Sequence, residues 1–282
     1  MPSVFAPRRL RLAHGRTLTL GPTGVLMAIV NVTPDSFSDG GQFVSVDEAV
    51  AFALAAVADG ASILDIGGES TRPGADAVSA AEEQARILPV ISAIARKTDA
   101  LISVDTYRAE TAEMAISAGA HLINDIAGGT AEPDILRVAA RMGAAYCLMH
   151  TSRRADKRAD PLEDQLAFLE PALAAARAAG ISDDQLLIDP GFGFGKDGAE
   201  NLDIMAHLDV LHRLGLPLLI GTSRKRFVAT LSGGDNLSRD FGTAATTVIT
   251  RMAGGAVFRV HNVSANRAAL AFADAMIARE AD

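Results

Sequence analysis

Eight short apolar runs, spread along a chain of 282 residues, constrain its fold more than any other feature. They cover 26–30, 62–66, 101–104, 121–123, 145–149, 186–188, 218–220 and 256–260. None alternates polar with apolar residues. That is the pattern of strands buried on both faces, as in parallel sheets. Helical stretches with start and stop signals lie between them. Ser45-x-x-Glu48 and Ser79-x-x-Glu82 predict capping boxes, and Asp160-Pro161 offers an N-cap followed by an N1 proline. Gly60, Gly119, Gly143, Gly180 and Gly215 fall where helix ends are expected. Pro171 predicts a kink in the fifth helix. Eight such strand–helix units in about 250 residues predict an α/β chain folded as a (β/α)8 TIM barrel. A doubly wound open sheet is the alternative. The segment LRLAHGRTLTL alternates about His14-Gly15, which predicts an N-terminal β-hairpin over about 8–21 plugging the barrel bottom. With the barrel at about 25–280 and no linker composition anywhere, the expectation is one domain over 1–282.

Composition narrows the function classes. Hydrophobic residues make up 49% of the chain, ample for a large core, and the net charge is −8. Lys and Arg are scattered without a basic stripe, which argues against nucleic-acid binding. No apolar run approaches membrane-spanning length. The single cysteine, Cys147, sits in an apolar run and has no intrachain disulfide partner. The opening MPSVFAPRRL lacks the apolar segment of a signal peptide. A cytoplasmic protein with small-molecule partners, and neither nucleic acid nor membrane, is the expectation.

The first run opens into NVTPDSFSDGG, residues 31–41. A plain connection needs about two to six residues, so this one reads as a working loop. In a barrel the chemistry sits on such loops, where strands end. Read in order, the strand ends supply Asn31; Asp65, Glu69, Thr71 and Arg72; Asp105; Asn124 and Asp125; His150; Asp189; Ser223 and Lys225; and Arg259 and His261. Singly each is weak. Asp105 and Asp125 read equally well as helix caps, His150 as a structural histidine, the glycines of GFGFG as a turn, and Phe192 and Phe194 as core. As a ring around one mouth they divide into two chemistries. Asp105, Asn124, Asp189 and Lys225 suit a heterocycle with a guanidine-like edge, which matches a buried carboxylate in bidentate fashion. Arg259, His261, Asn31, Thr71 and Arg72 suit oxygen anions, and Asn31 is a candidate ligand for Mg²⁺ held mostly by phosphate.

The motifs NVTPDSFSDGG, DIGGESTRPGA, VDTYRAE, INDIAGG, LIDPGFGFGK, GTSRKRF and RVH, in this order from about residue 26 onward, resemble the dihydropteroate synthase family of folate biosynthesis. The resemblance implies a TIM barrel, usually a homodimer. It implies condensation of 6-hydroxymethyl-7,8-dihydropterin diphosphate with p-aminobenzoate to dihydropteroate and pyrophosphate, assisted by Mg²⁺ and inhibited by sulfonamides. Carried over by motif, Asp105, Asn124, Asp189 and Lys225 would bind the pterin, with Met149 and Phe194 as walls. Asn31, Thr71, Arg259 and His261 would hold the diphosphate, with Mg²⁺ on Asn31. Phe37, Pro73, Ser223 and Lys225 would shape the p-aminobenzoate site. Asp35, Ser36, Asp39 and Arg72 would belong to two loops closing over it. Lys225, Arg259, His261 and Asp105 would carry the catalysis, with no protein nucleophile. Two departures stand out. The family often carries a Gly-x-Pro segment after the Met-His of the fifth strand, where this chain has Thr151-Ser152-Arg153-Arg154. It usually shows Asp after Arg-Val-His, where this chain has Asn262. The alternatives are a pterin-binding methyltransferase barrel and a non-catalytic pterin-binding paralogue.

Overall fold

The computed structural model describes residues 4–33, 45–70, 78–153 and 156–281. Two antiparallel strands open it, β1 (Arg8–Arg11) and β2 (Thr17–Leu20), in register from Arg8 opposite Leu20 to Arg11 opposite Thr17. The turn between them puts His14 at φ 58°, a conformation costly for a side chain with a Cβ. The His14 ring is held there by the carbonyls of Ile116 and Ala120, at 3.0 and 3.1 Å from Nε2.

The apolar runs become β3 (Val25–Asn31), β4 (Ile63–Gly67), β5 (Leu101–Asp105), β6 (Leu122–Asp125), β7 (Ala145–Met149), β8 (Leu186–Asp189), β9 (Leu218–Ile220) and β10 (Gly255–Val260). All pair in parallel, and β10 closes on β3, which rules out the open sheet. Helices cover the outside. They are α1 (Val46–Asp59), α2 (Ala80–Ala95), α3 (Ala109–Ser117), α4 (Asp134–Met142), α5 (Pro161–Ala178), α6 (Gly198–Ala206), α7 (Asp209–His212), α8 (Arg226–Ser232), α9 (Asn236–Met252) and α10 (Val263–Ala281). Among the described residues no helix is long and apolar enough to cross a membrane.

Strand geometry splits the core in two, because successive side chains point to opposite faces. Leu26, Ala28, Val30, Leu64, Ile66, Ile102, Val104, Ile123, Tyr146 and Leu148 pack outward against the helices. Val25, Met27, Ile63, Leu101, Leu122, Cys147, Leu187, Leu219 and Val257 point inward. Leu10, Leu12 and Leu20 of the hairpin belong to this inner cluster, so the hairpin plugs the barrel end where the strands start.

The helix signals hold unevenly. Asp160 caps α5 through the amides of Leu162 and Glu163, and α5 carries Pro171 within it. Gly60 and Gly143 end α1 and α4 in the left-handed region. The Ser79 box is half made. Ser79 Oγ accepts from Glu82 N at 3.2 Å, but the Glu82 carboxylate pairs one turn on with Arg86. Ser45 stands at the N-cap of α1 without a side-chain bond, a correction to the predicted box. Asp47 and Glu48 still place negative charge in that first turn, where the helix dipole favours it.

Candidate active site

Above the apolar inner layer the same inward parity continues into polar side chains. Asp65, Ser103, Asp105, Asn124, Met149, Asp189 and Arg259 follow two residues, or four, after members of the inner cluster on their own strands. These strand ends therefore form the floor of the mouth. Arg259 stands at its centre. Its Nε donates to Asp65 Oδ2 and its Nη2 to Asp105 Oδ2, both at 2.6 Å. Asn124 Nδ2 donates to the same Asp65 oxygen at 3.1 Å. Burial draws the Arg259 guanidinium down, but the Asp65 and Asp105 carboxylates outweigh that and raise it. Burial lifts the Asp105 carboxyl to about 7, against the pull of Arg259 and with a further push from Asp65. The two chemistries read from the sequence thus meet at Arg259, which serves both. Asp65, which the ring included without a role, is its central anchor.

Two buried atoms on this floor make no hydrogen bond: Asp65 Oδ1 and Ser103 Oγ, on residues paired across β4 and β5. A buried polar atom left unpaired costs about 1–3 kcal/mol. The floor is built to receive a polar ligand rather than an apolar one.

Asp189 and Lys225 form the adjoining wall. Asp189 Oδ1 accepts from Gly191 N at 2.7 Å, which fixes the carboxylate. Burial pushes its carboxyl up, opposed by Lys225. Burial brings the Lys225 ammonium down to about 8, opposed by Asp189. Lys225 Nζ also donates to the carbonyl of Phe192 and lies 4.4 Å from the centre of the Phe194 ring. Arg153, from the segment that departs from the family, lies 4.7 Å from the same ring. The glycines of GFGFG serve the turn. A Cβ at Gly191, whose φ is +64°, would meet the His150 carbonyl oxygen at 1.8 Å. Lys196, buried and brought down to about 7 by that burial, ties the turn through Gly191 O at 2.8 Å.

Ser223 and His261 make a third group. The backbone N–H of His261 donates to Ser223 Oγ at 3.0 Å, and Oγ lies 2.9 Å from His261 Nδ1. Where the Ser223 hydroxyl donates to Nδ1, the neutral ring carries its own proton on Nε2. The imidazolium also presents Nε2–H, so in both charge states this nitrogen is a donor suited to an oxygen anion.

The parity rule sorts the remaining candidates. Asp125 and His150 lie on the outward side. Asp125 caps the turn after β6 through Ala127 N and Gly129 N and takes the Tyr146 hydroxyl. His150 is packed between Gln165 and Asp164 of α5, at 3.1 and 3.2 Å. Both are structural. Phe192 is core, stacked on Phe227. Asn31 stands half-buried at the end of β3, beside Gly67 of β4. Asp35, Ser36, Phe37, Asp39, Thr71, Arg72 and Pro73 lie outside the described residues. The described residues that flank 71–77 are held by one guanidinium. Arg108 donates to Glu69 at 2.6 Å, to Glu83 at 2.9 Å and to the carbonyl of Val78 at 2.8 Å.

Residues 27–261 match the family described as pterin binding enzyme. A dihydropteroate synthase of Clostridium beijerinckii is 42% identical over 265 residues, covering 94% of this chain and 98% of its own. Among solved structures, Xanthomonas albilineans dihydropteroate synthase with 4-aminobenzoic acid superposes with a TM-score of 0.90 at 42% identity, over 96% of this chain and 99% of that one. The Yersinia pestis dihydropteroate synthase in complex with a sulfonamide drug gives a TM-score of 0.87 at 42% identity, over 95% and 100% of the two chains.

Proposed function

The chain belongs to the pterin binding enzymes, among the dihydropteroate synthases, and from that premise we propose how its own residues perform the reaction. The activity is a transfer. 6-Hydroxymethyl-7,8-dihydropterin diphosphate and p-aminobenzoate condense to 7,8-dihydropteroate and pyrophosphate. One observation carries the assignment of roles: Asp65, Asp105 and Asp189 converge on one floor with Asn124, Arg259 and Lys225, and two polar atoms there have no partner. A flat heterocycle with adjacent N–H donors and a carbonyl matches that set, because carboxylates take a paired N–H edge in bidentate fashion. Asp105, Asn124 and Asp189 bind the pterin edge, Lys225 takes a ring acceptor, and Met149 and Phe194 wall the ring.

The diphosphate extends toward Arg259 and His261. As the methylene C–O bond breaks, its electron pair moves onto the diphosphate oxygen. Arg259 and the Nε2–H of His261 stabilise that charge, and they speed the step only insofar as they bind the departing anion better than the substrate. The aniline nitrogen of p-aminobenzoate then forms the C–N bond and gives up one proton to water. Ser223 and Lys225 border that second site. No group of three His, Cys, Asp or Glu among the described residues is placed to hold a metal ion. Asn31 offers one neutral oxygen. That donor set fits Mg²⁺ held largely by diphosphate oxygens. When bound, the ion would neutralise charge on the leaving group, with Asn31 as its protein ligand.

We further propose a homodimer. Leu237, Phe241 and Ile249 on α9, with Phe272 and Met276 on the adjoining α10, are exposed, Phe272 at 78%. Exposed apolar side chains on two packed helices are the material of an interface. The single buried cysteine, Cys147, accords with a cytosolic setting. The deciding experiment incubates the chain with both substrates and Mg²⁺ and follows dihydropteroate and pyrophosphate in equal amounts. Pterin binding without either product would overturn the reading in favour of a binding paralogue.

A further inference from the structure

Arg224 adopts φ 55°, one of two non-glycine residues with positive φ among those described. It sits between Ser223, whose hydroxyl meets His261, and Lys225, which meets the Asp189 wall. A residue with a Cβ persists in this region only when its surroundings hold it there. The surroundings here are one face of α9. Thr222 Oγ1 lies 2.8 Å from Thr246 Oγ1, and Arg224 N donates to Thr243 Oγ1 at 3.1 Å. The Arg224 side chain forks onto Asp240, Nε to Oδ1 at 2.7 Å and Nη2 to Oδ2 at 2.9 Å. Positions 240, 243 and 246 are three residues apart, so they line one helical face. Asn262 joins the same anchor, its Nδ2 donating to Asp240 Oδ2 at 2.9 Å, while its Oδ1 accepts from Ala265 N at 3.1 Å at the start of α10.

We propose that the Arg224–Asp240 pair is a positioning device for the reaction: the Asp240 carboxylate fixes the turn at 222–225 and so aims Ser223 and Lys225 into the mouth. The inference rests on the assigned reaction. The residue beside His261 is an amide, and the carboxylate of this corner comes from α9 at 240, one hydrogen bond away. Arg224 Nη2 and Asn262 Nδ2 share Asp240 Oδ2, so exchanging amide and acid between 240 and 262 keeps a carboxylate within about 3 Å of its present place. The Asp240 carboxyl is held below the ordinary range, with His261 among the groups that pull it down. Burial opposes that, and the bonds from Arg224 and Asn262 outweigh it.

The test compares the parent with Asp240→Asn, with the exchange variant Asp240→Asn/Asn262→Asp, and with Arg224→Lys, which keeps a cation but loses the fork. Initial rates are measured with each substrate varied in turn, alongside the thermal midpoint. Asp240→Asn is expected to lower kcat about tenfold or more, beyond any effect on KM for the pterin diphosphate. The exchange variant should recover to within about threefold of the parent, and Arg224→Lys should fall between. A purely structural contact would move the midpoint without this split and without recovery by exchange. A folded Asp240→Asn or Arg224→Lys within twofold of the parent, or an exchange variant no better than the single change, overturns the proposal. A parent that turns over beside an unaffected variant defeats this inference alone, and an inactive parent defeats the assigned reaction. A crystal structure of Arg224→Lys supplies a readout independent of turnover. Residue 224 should leave the left-handed region and Ser223 Oγ should part from His261 Nδ1, and retention of both also overturns the proposal.

Discussion

Asp65→Asn perturbs the floor without changing its shape. The parent carboxylate is fully buried and takes Arg259 Nε at 2.6 Å and Asn124 Nδ2 at 3.1 Å through one oxygen. An amide oxygen keeps both contacts, so the loss is one of charge. Hydrogen bonds to charged groups contribute about 1.5–3 kcal/mol and neutral ones about 0.5–1.5 kcal/mol. The difference is roughly 1–2 kcal/mol. It falls short of the ~3–5 kcal/mol for orphaning a buried charge, because Arg259 keeps Asp105 at 2.6 Å. A second effect runs the other way, since Asp65 pushes the Asp105 carboxyl upward and its neutralisation relieves that push. The expected net cost is about 1 kcal/mol, a fall of roughly 2–4 °C in Tm. Urea unfolding of the parent, Asp65→Asn, Arg259→Gln and the double variant isolates the pair. A coupling of about 1–2 kcal/mol is expected. Additivity within about 0.5 kcal/mol, the value for independent sites, would refute the claim that Asp65 anchors Arg259.

Asp189→Ala should cost about 2–5 kcal/mol in pterin affinity, as for a truncated buried charged partner, and calorimetry showing no change would remove Asp189 from the pterin edge. Asp105 predicts a pH dependence. Its carboxyl holds a proton up to about 7 in the native chain and loses it near 3.8 when unfolded. Between those values the native state binds more protons, so this contribution is complete at low pH and is lost as pH rises through about 7. Asp105→Asn should therefore flatten the fall in urea midpoint between about pH 4 and 7, and identical slopes in parent and variant would refute the shift. Sulfonamides should compete with p-aminobenzoate, and inhibition insensitive to its concentration would separate the two sites.

The barrel was legible because each strand is buried on both faces, and two-sided burial leaves an apolar run in the sequence. The hairpin was legible from Leu10 and Leu20, whose alternation marks one buried side. The site was only partly so. Strand ends pointed to the mouth, but neighbours such as Asn124 and Asp125, or Met149 and His150, differ by one position and face opposite ways. Counting in twos from Leu122 or Cys147 sorts them: Asn124 and Met149 fall inward, Asp125 and His150 outward. Asp65 stands in the ring of strand-end residues, but nothing local to it in the sequence shows that Arg259, 194 positions away, is its partner. Asp240 carries no local signal, since its role depends on which face of α9 meets the turn at 222–225. Capping was misread where partners compete. Glu82 prefers Arg86, while the reciprocal box at Asp197 and Glu200, at 2.9 and 2.7 Å, is led by aspartate rather than by the Ser or Thr of the usual pattern.

Arg259 holds two carboxylates, yet a diphosphate needs the same guanidinium, and this conflict couples the two halves of one substrate. If the anion draws Arg259 away, Asp65 and Asp105 lose their cation, and uncompensated buried carboxylates are costly. The N–H edge of the pterin is the group available to satisfy them. Conversely, a pterin engaging the acids loosens Arg259 for the anion. Each ligand should bind more tightly with the other present, and linkage requires the two enhancements to be equal. A coupling of about 1–3 kcal/mol corresponds to roughly 5–150-fold. The measurement is calorimetry of 6-hydroxymethyl-7,8-dihydropterin with and without pyrophosphate and Mg²⁺, on the parent and on Arg259→Ala. The parent should show the enhancement, and the variant, whose carboxylates already lack their cation, should lose it and bind the pterin more tightly than the parent does without pyrophosphate. Equal pterin affinity in the parent with and without pyrophosphate would mean that Arg259 stays on its carboxylates through the cycle, and that His261 and residues outside the floor receive the diphosphate without it.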